Sequence, residues 1–312
     1  MTDINVFKIE GKPIDKLIEV ISKGIGTIYR PRSIRKEAEA KAYEIELIEN
    51  AKAKALSKGK EIEFDTYERL QERILSREVK RQNNIDSVAE IAANELKNEE
   101  TISEESVSED WSTRFFNITE DISDKEMQEI WGRILAGEVK KPKSFSLRTL
   151  EFLKNLSKDE ALTFVKVANL SILGAGKIFV FNPDNGKFIE ENYNIKLADI
   201  LQLKELGLLN SDSNLQLMFK APVNDDFVSL VYNNKGIVLQ RKVGAPEQSL
   251  SALIFTSIAS ELLQLVQPAI DYKYIQRIKK QLNHEKVEVK IGDIMDFPDG
   301  TKKIMNIIDI TD

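Results

Sequence analysis

The sequence predicts an α+β protein, mainly helical in its N-terminal and central regions, followed by a winged-helix-like C-terminal region with β-hairpins. Three observations predict it. Between Asp110 and Ala168 apolar residues recur on a 3.6-residue repeat with legible helix starts. Before that segment the chain is rich in Ala, Glu and Lys and carries only thin apolar seams. Beyond residue 171 the helical period gives way to short strand-like runs broken by turn residues. The implied division is 1–100, amphipathic and charged helices forming an oligomerisation region; 101–170, a compact helical domain; and 171–312, the winged-helix-like domain.

Ile14, Leu17, Ile18, Ile21, Ile25 and Ile28 fall on one face of a helix running to Tyr29, flanked by Lys12, Lys16, Lys23, Arg30 and Arg32. These six apolar residues are the candidate membrane or partner contact. A basic-flanked apolar stripe suits an interfacial helix on an anionic membrane; it also suits a helix packed on its own protein or on a second copy. The packed reading is favoured, because such stripes are usually core. Gly24 and Gly26 each lower helix propensity by up to ~1 kcal/mol relative to alanine, which points to close packing or a kink. Pro31 marks a new helix start, and the run from Arg32 to Ser57 offers only Ala38, Ala42, Ile45, Ile48 and Leu56 as a seam. After the Ser57-Lys58-Gly59-Lys60 break, a helix from Asp65 holds Leu70, Ile74, Ile85, Val88 and Ile91 among many charges. Helices this polar are expected to form a hairpin or a coiled contact that makes a homo-oligomer, with i,i+4 charge pairing as the simpler account. Arg73, Arg77, Lys80 and Arg81 are a candidate phosphate-contacting cluster, although the interleaved Glu72 and Glu78 favour a solvated helix face.

Six acidic residues and no basic one lie between Asn98 and Asp110, which reads as a linker or an acidic cap on the next helix. Trp111, Phe115, Ile118 and Ile122 then share a face. Ser123 and Glu126 form a capping box that starts a helix at Asp124, carrying Met127, Ile130, Trp131, Ile134 and Leu135, with Gly137 and Pro142 as its stop. Leu147, Leu150, Leu153 and Leu156 continue the pattern, and a second capping box, Ser157 with Glu160, opens a helix with Leu162, Val165 and Ala168. A small antiparallel helical core with short loops is expected. Lys140, Lys141, Lys143 and Arg148 form a separate basic edge, the other candidate phosphate contact.

The run from Met127 to Glu138, MQEIWGRILAGE, followed by Ser146-Leu147-Arg148-Thr149-Leu150 and Leu153-Lys154-Asn155-Leu156-Ser157, resembles the bacterial family called domain of unknown function 2806. More distantly it is similar to the abortive infection alpha family, in which a Gln, Trp, Leu-Ala pattern precedes a leucine-rich helix. The resemblance extends more loosely to the N-terminal part and to the Leu206-Gly207-Leu208-Leu209 segment. It implies a role in bacterial defence against phage, more for the distant relatives than for the near ones, and it brings no catalytic residues.

In the C-terminal part, Lys177 to Glu190 reads as a hairpin turning at Pro183-Asp184-Asn185-Gly186. A helix from Lys196 to Leu206 follows, ending at Gly207. Strands are predicted at Leu215–Lys220, Phe227–Tyr232 and Ile237–Lys242, the last pair joined through Asn233-Asn234-Lys235-Gly236. A helix ending in this way before hairpins resembles a winged helix, and a DNA-binding winged helix is the rival functional reading. The candidate recognition helix sets Lys196 and Lys204 against Asp199 and Glu205, a balance of zero that holds poorly on a polyanion. Ser249 to Ile270, with Glu261 its only charge, reads as a buried core helix rather than a membrane span. A helix with Ile275, Ile278 and Leu282, then a strand alternating Val287, Val289 and Ile291, complete the chain.

Composition narrows the chemistry. The 312 residues include no cysteine and one histidine, His284, so disulfides and thiolate sites are excluded and a His-based metal centre or serine triad is disfavoured. Gly174-Ala175-Gly176-Lys177 lacks the first glycine and the Ser or Thr of a phosphate loop and reads as a tight turn into a strand. Asp293, Asp296 and Asp299 do not have calcium-loop spacing, and Pro298-Asp299-Gly300 reads as a turn. Asp225 and Asp226 fall in a predicted solvated loop. No catalytic, cofactor or metal residues are assigned. A net charge of -6 argues against wholesale coating of nucleic acid, and the absence of a secretory signal pattern predicts a cytoplasmic protein, with peripheral contact at the inner membrane open. The expected function is a non-enzymatic antiphage component acting through protein or membrane contacts, with a partner of phage or host origin; the alternative is a winged-helix nucleic-acid-binding regulator.

Overall fold

A computed structural model describes residues 11–30, 64–99, 101–212, 215–266, 268–296 and 302–310. The predicted helix from Arg32 to Ser57, its following break and the Pro298-Asp299-Gly300 turn lie outside the described residues. The chain is α+β: ten α-helices among the described residues and one eight-stranded antiparallel sheet, with all strands after residue 170. It divides into two compact units, Met1–Lys154 and Asn155–Asp312.

The first unit is helical. α1 (Lys12–Ile25) buries Ile14, Leu17, Val20 and Ile21 and stops at Gly26, four residues short of the predicted end at Tyr29. Gly24 is the point of closest approach to α3 (Glu109–Thr119): a Cβ there would stand 2.3 Å from the Phe116 ring and 2.8 Å from the Ser112 carbonyl. α2 (Phe64–Leu96) is a single helix of 33 residues. Its second half buries Ile85, Val88, Ala89, Ala92, Ala93 and Leu96.

α4 (Lys125–Lys140) lies along that half. Its N-cap is Asp124, whose side chain accepts from the Met127 N–H, so the cap falls one residue later than the Ser123 the sequence suggests. The helix also runs through Gly137 instead of ending there, because the glycine makes room for the Phe145 ring; a Cβ would meet it at 2.9 Å. α2 and α4 run parallel, with Asn84 beside Gln128 at one end and Glu99 beside Lys140 at the other. α5 (Leu147–Lys154) closes this unit, burying Thr149, Leu150 and Leu153.

The second unit opens with α6 (Lys158–Ala168), whose Ser157–Glu160 capping box is present in full. β1 (Ser171–Gly174) and β2 (Lys177–Phe181) form a two-residue hairpin in which Ala175 (φ 48°) and Gly176 (φ 71°) are both left-handed, the backbone of a tight primed turn. The predicted hairpin at Asn185-Gly186 does not form. β2 is already paired on both edges, by β1 and by β6 (Gln248–Ile254), so no ladder position exists for a returning strand. Instead Asp184, Asn185 and Gly186 carry the chain through three successive left-handed residues into α7 (Lys187–Tyr193).

α8 (Leu197–Glu205) matches the predicted helix, with Gly207 at φ 72° following it. β3 (Gln216–Phe219), β4 (Asp226–Tyr232) and β5 (Lys235–Arg241) match the three predicted strands. The β4–β5 hairpin is flanked by β1 and β7 in the order β3-β6-β2-β1-β4-β5-β7-β8; the strands expected as a wing are inner strands of a continuous sheet. The predicted core helix at Ser249–Ile270 is instead β6 (Gln248–Ile254), then α9 (Ser257–Leu262) capped by Thr256. A short apolar run does not by itself distinguish a strand from a buried helix, and here β3 and β2 pair with it. α10 (Tyr272–Leu282) buries Tyr274, Ile275, Ile278 and Leu282. β7 (Val287–Asp296) pairs with the edge strand β8 (Lys302–Asp309) through a bulge at which Asn306 takes φ 52°.

Candidate functional site

The residues with the clearest shared geometry are those of the MQEIWGRILAGE run, which tie the connection before α4, the face of α2 and the loop after α4 to one helix. Trp131 is fully buried, its ring edge-on to Phe115 at 5.5 Å, and Phe115 stacks on Trp111 at 4.9 Å. Gly132 lets α2 approach: a Cβ would stand 2.4 Å from Ile91 Cγ2. Gln128 donates to Asn84 Oδ1 (3.2 Å) and to the Ile122 carbonyl (2.8 Å), while Asn84 donates to the Glu120 carbonyl (2.8 Å), so two buried amides hold the α3–α4 connection. Glu138 is 2 % exposed, and its carboxylate accepts from the Lys143 N–H (2.6 Å) and the Phe145 N–H (3.0 Å). Trp111 Nε1 donates to the Phe145 carbonyl at 2.7 Å. A carboxylate engaged by two backbone donors is a loop anchor. The run therefore positions a loop and packs a core.

The six N-terminal apolar residues do not form one surface. Ile14, Leu17 and Ile21 are buried inside the unit, Ile18 and Ile25 are half-buried, and Ile28 lies beyond the helix and is 78 % exposed. No helix among the described residues is long and apolar enough to cross a membrane.

The two basic clusters stand toward opposite ends of the α2–α4 pair: Arg81, beside Asp121, lies roughly 22 Å along α2 from the helix end at Leu96, after which Glu99 meets Lys140. Arg81 is engaged by Asp121 (2.9 Å) and Glu120 (3.4 Å), where burial pushes the Glu120 carboxyl up against the pull of Arg81. Arg77 meets Glu78 at 3.2 Å. Lys140 pairs with Glu99 at 2.6 Å and Lys143 with Glu105. Arg73, Lys80, Lys141 and Arg148 are exposed. The acidic stretch read as a linker is docked: Lys16 donates to the Ser103 and Glu105 carbonyls at 2.8 and 2.7 Å, Ser103 N–H reaches the Lys140 carbonyl, and Val107 is buried. Partial burial lowers the Lys16 ammonium despite nearby glutamates. A shallow cleft of about 310 Å³ lies between α1 and this stretch.

Sequence reasoning missed the tyrosines of the second unit, which are spread over α7, β4 and α10. Tyr274 is fully buried; its hydroxyl accepts from the Phe181 N–H (2.7 Å), and its ring lies 5.5 Å from Tyr232 and 6.0 Å from Tyr193. Tyr232 donates to the Asn169 carbonyl at 3.3 Å. Burial raises all three phenols, Tyr232 to about 12, with the Asp271 carboxylate adding to the rise at Tyr193. Asp226 is also no free loop carboxylate: it forms a two-pronged pair with the buried Arg241 at 2.9 and 2.6 Å. Asp293 bonds Lys235 and Asn306.

An antiparallel sheet unit and a helical unit built round a Trp-Gly motif define the class. A family model described as protein of unknown function (DUF2806) matches residues 68–279, more than half of the sequence, and the chain belongs to that family. No curated protein and no solved structure matches it.

Proposed function

We propose that the protein is a non-enzymatic component of abortive-infection-like antiphage defence, and that it acts by self-association and protein contact through the first half of α2. The observation that carries the contact surface is the change of exposure along this helix. From Asn84 onward its apolar side chains are core, whereas Leu70, Ile74 and Val79 are 49 %, 41 % and 51 % exposed. The helix extends about 21 Å from Asn84 back to Leu70, at 1.5 Å per residue. Leu70 and Ile74 stand one turn apart, the spacing of a helix-pairing seam. The antiphage assignment rests on reading the Gln, Trp, Leu-Ala pattern of the MQEIWGRILAGE run as a distant resemblance to the abortive infection alpha family, and the partner is a second copy or a protein of phage or host origin. Cytoplasmic action fits this reading.

The test joins biophysics to infection. Sedimentation of the full chain is expected to show an oligomer that L70E/I74E dissociates. Cells expressing the wild type should survive at a low phage-to-cell ratio and collapse at a high one, and the variant should lose both behaviours. A well-folded monomer that protects as fully as its variant overturns the contact reading; a well-expressed wild type that changes neither quantity across a broad phage panel overturns the defence reading.

A further inference from the structure

We propose that the outer face of α10 binds the phosphate backbone of nucleic acid. The sequence from Tyr272 to Lys286 holds five basic residues and one acidic residue, in a chain of net charge -6. The helix fixes which of those charges meet solvent. Tyr274, Ile275, Ile278 and Leu282 anchor one face in the core. Lys273, Arg277 and Lys280 recur at i, i+4 and i+7, which places them along one stripe away from the core face.

Their engagement differs. Arg277 is held by Asp184 through two bonds of 3.2 and 3.0 Å and stacks over the Phe181 and Phe188 rings at 5.7 and 5.8 Å. Lys279 is turned aside to the Ile310 carbonyl at 2.6 Å. Lys273 and Lys280 are exposed and have no acidic partner among the described residues. Two exposed ammonium groups about two turns apart on one helix suit two phosphates of a nucleic-acid strand, with Arg277 held on Asp184 between them. Tyr272, 55 % exposed beside Lys273, offers a ring on which an unpaired base stacks. The complementarity is to a polyanion, and the aromatic neighbour favours nucleic acid over a lipid surface. α8, the helix the sequence singled out for this role, has no such excess of positive charge. The inference does not rest on the self-association proposed for α2.

Fluorescence anisotropy of the full-length protein with labelled single-stranded RNA and duplex DNA, over a range of salt concentrations, tests it. The wild type should bind with a steep salt dependence, and K273E/K280E should weaken binding by at least tenfold and lower the salt slope by about 2. K273R/K280R should retain binding, and Y272A should weaken single-strand binding more than duplex binding. Thermal melts confirm folding of each variant. No wild-type binding at low salt, equal binding by K273E/K280E, or loss on K141E/R148E instead would overturn the assignment. Tighter binding to phosphatidylglycerol vesicles than to either nucleic acid would also overturn it.

Discussion

The two units use their aromatic residues differently. In the helical unit Trp111, Phe115, Phe116 and Trp131 form an aromatic cluster packed mainly by shape, with one polar tie from Trp111 to the Phe145 carbonyl, and the buried indole N–H of Trp131 has no hydrogen-bond partner among the described residues. In the sheet unit the tyrosines are polar staples: Tyr274 engages Phe181 of β2, and Tyr232 reaches the Asn169 and Ala269 carbonyls. Parallel helices meeting at Gly132 need a filler of fitting outline, whereas strands and crossing segments present backbone groups that a phenol can satisfy. The first region should therefore be sensitive to volume and the second to hydrogen bonding and alkaline pH.

Trp131→Ala is expected to have the largest effect, about 3–5 kcal/mol of destabilisation from lost burial and a residual cavity. Both tryptophans belong to the helical unit, so urea unfolding followed by the fluorescence of the remaining Trp111 reports that unit alone. Next comes Tyr274→Phe, which leaves the buried Phe181 N–H without its bond, at about 1–3 kcal/mol, read by far-ultraviolet circular dichroism of the sheet unit. Glu138→Gln, at about 1–3 kcal/mol through the loop after α4, probes a buried place where the helical unit does rely on charge-assisted bonds. If it matches Trp131→Ala, the contrast between the units fails.

Alkaline titration sharpens the comparison further. A phenol held above its ordinary value keeps a proton that the unfolded chain releases. Its stabilisation is complete below pH 10 and disappears as pH rises through the folded value, about 12 for Tyr232. The part of the tyrosinate absorbance that is lost in Phe variants of Tyr193, Tyr232 and Tyr274 should therefore appear late and together with loss of the sheet signal; its smooth appearance near pH 10 in the folded protein would contradict the burial. The smallest effect is expected at Asp293, whose carboxyl is held below its usual range by the hydrogen bonds from Lys235 and Asn306. That stabilisation is present above about pH 4, the unfolded value, and is lost as pH falls through the folded one, so D293N should flatten only the acid limb of the melting profile.

A helix start was legible where local chemistry decides it, as at Ser157 with Glu160, and the buried faces of α3 and α4 were legible in their repeats. Residues whose role lies across space were not. Gly137 looks like a helix stop until Phe145, eight residues later, is seen against it. Asn185-Gly186 is a strong hairpin signal that fails because β6, some seventy residues on, already holds the free edge of β2. Of the candidate contacts, the alternation of core and solvent along α1 and α2 was readable only as stripes, because periodicity does not say which stripe is covered. The tyrosine staples lack any local spacing, since α7, β4 and α10 are distant in sequence.

The docked acidic stretch carries one more consequence. By composition, Glu99 to Glu109 is a tract that a protease should cut, yet the Lys16 bonds to Ser103 and Glu105 and the buried Val107 deny it the extended, freely accessible backbone that cleavage requires. Trimming the chain at this tract would remove part of the surface on which α1 rests, and a fragment beginning at Asp110, which lacks α1 and α2 altogether, should leave the Ser112 and Phe116 face of α3 uncovered.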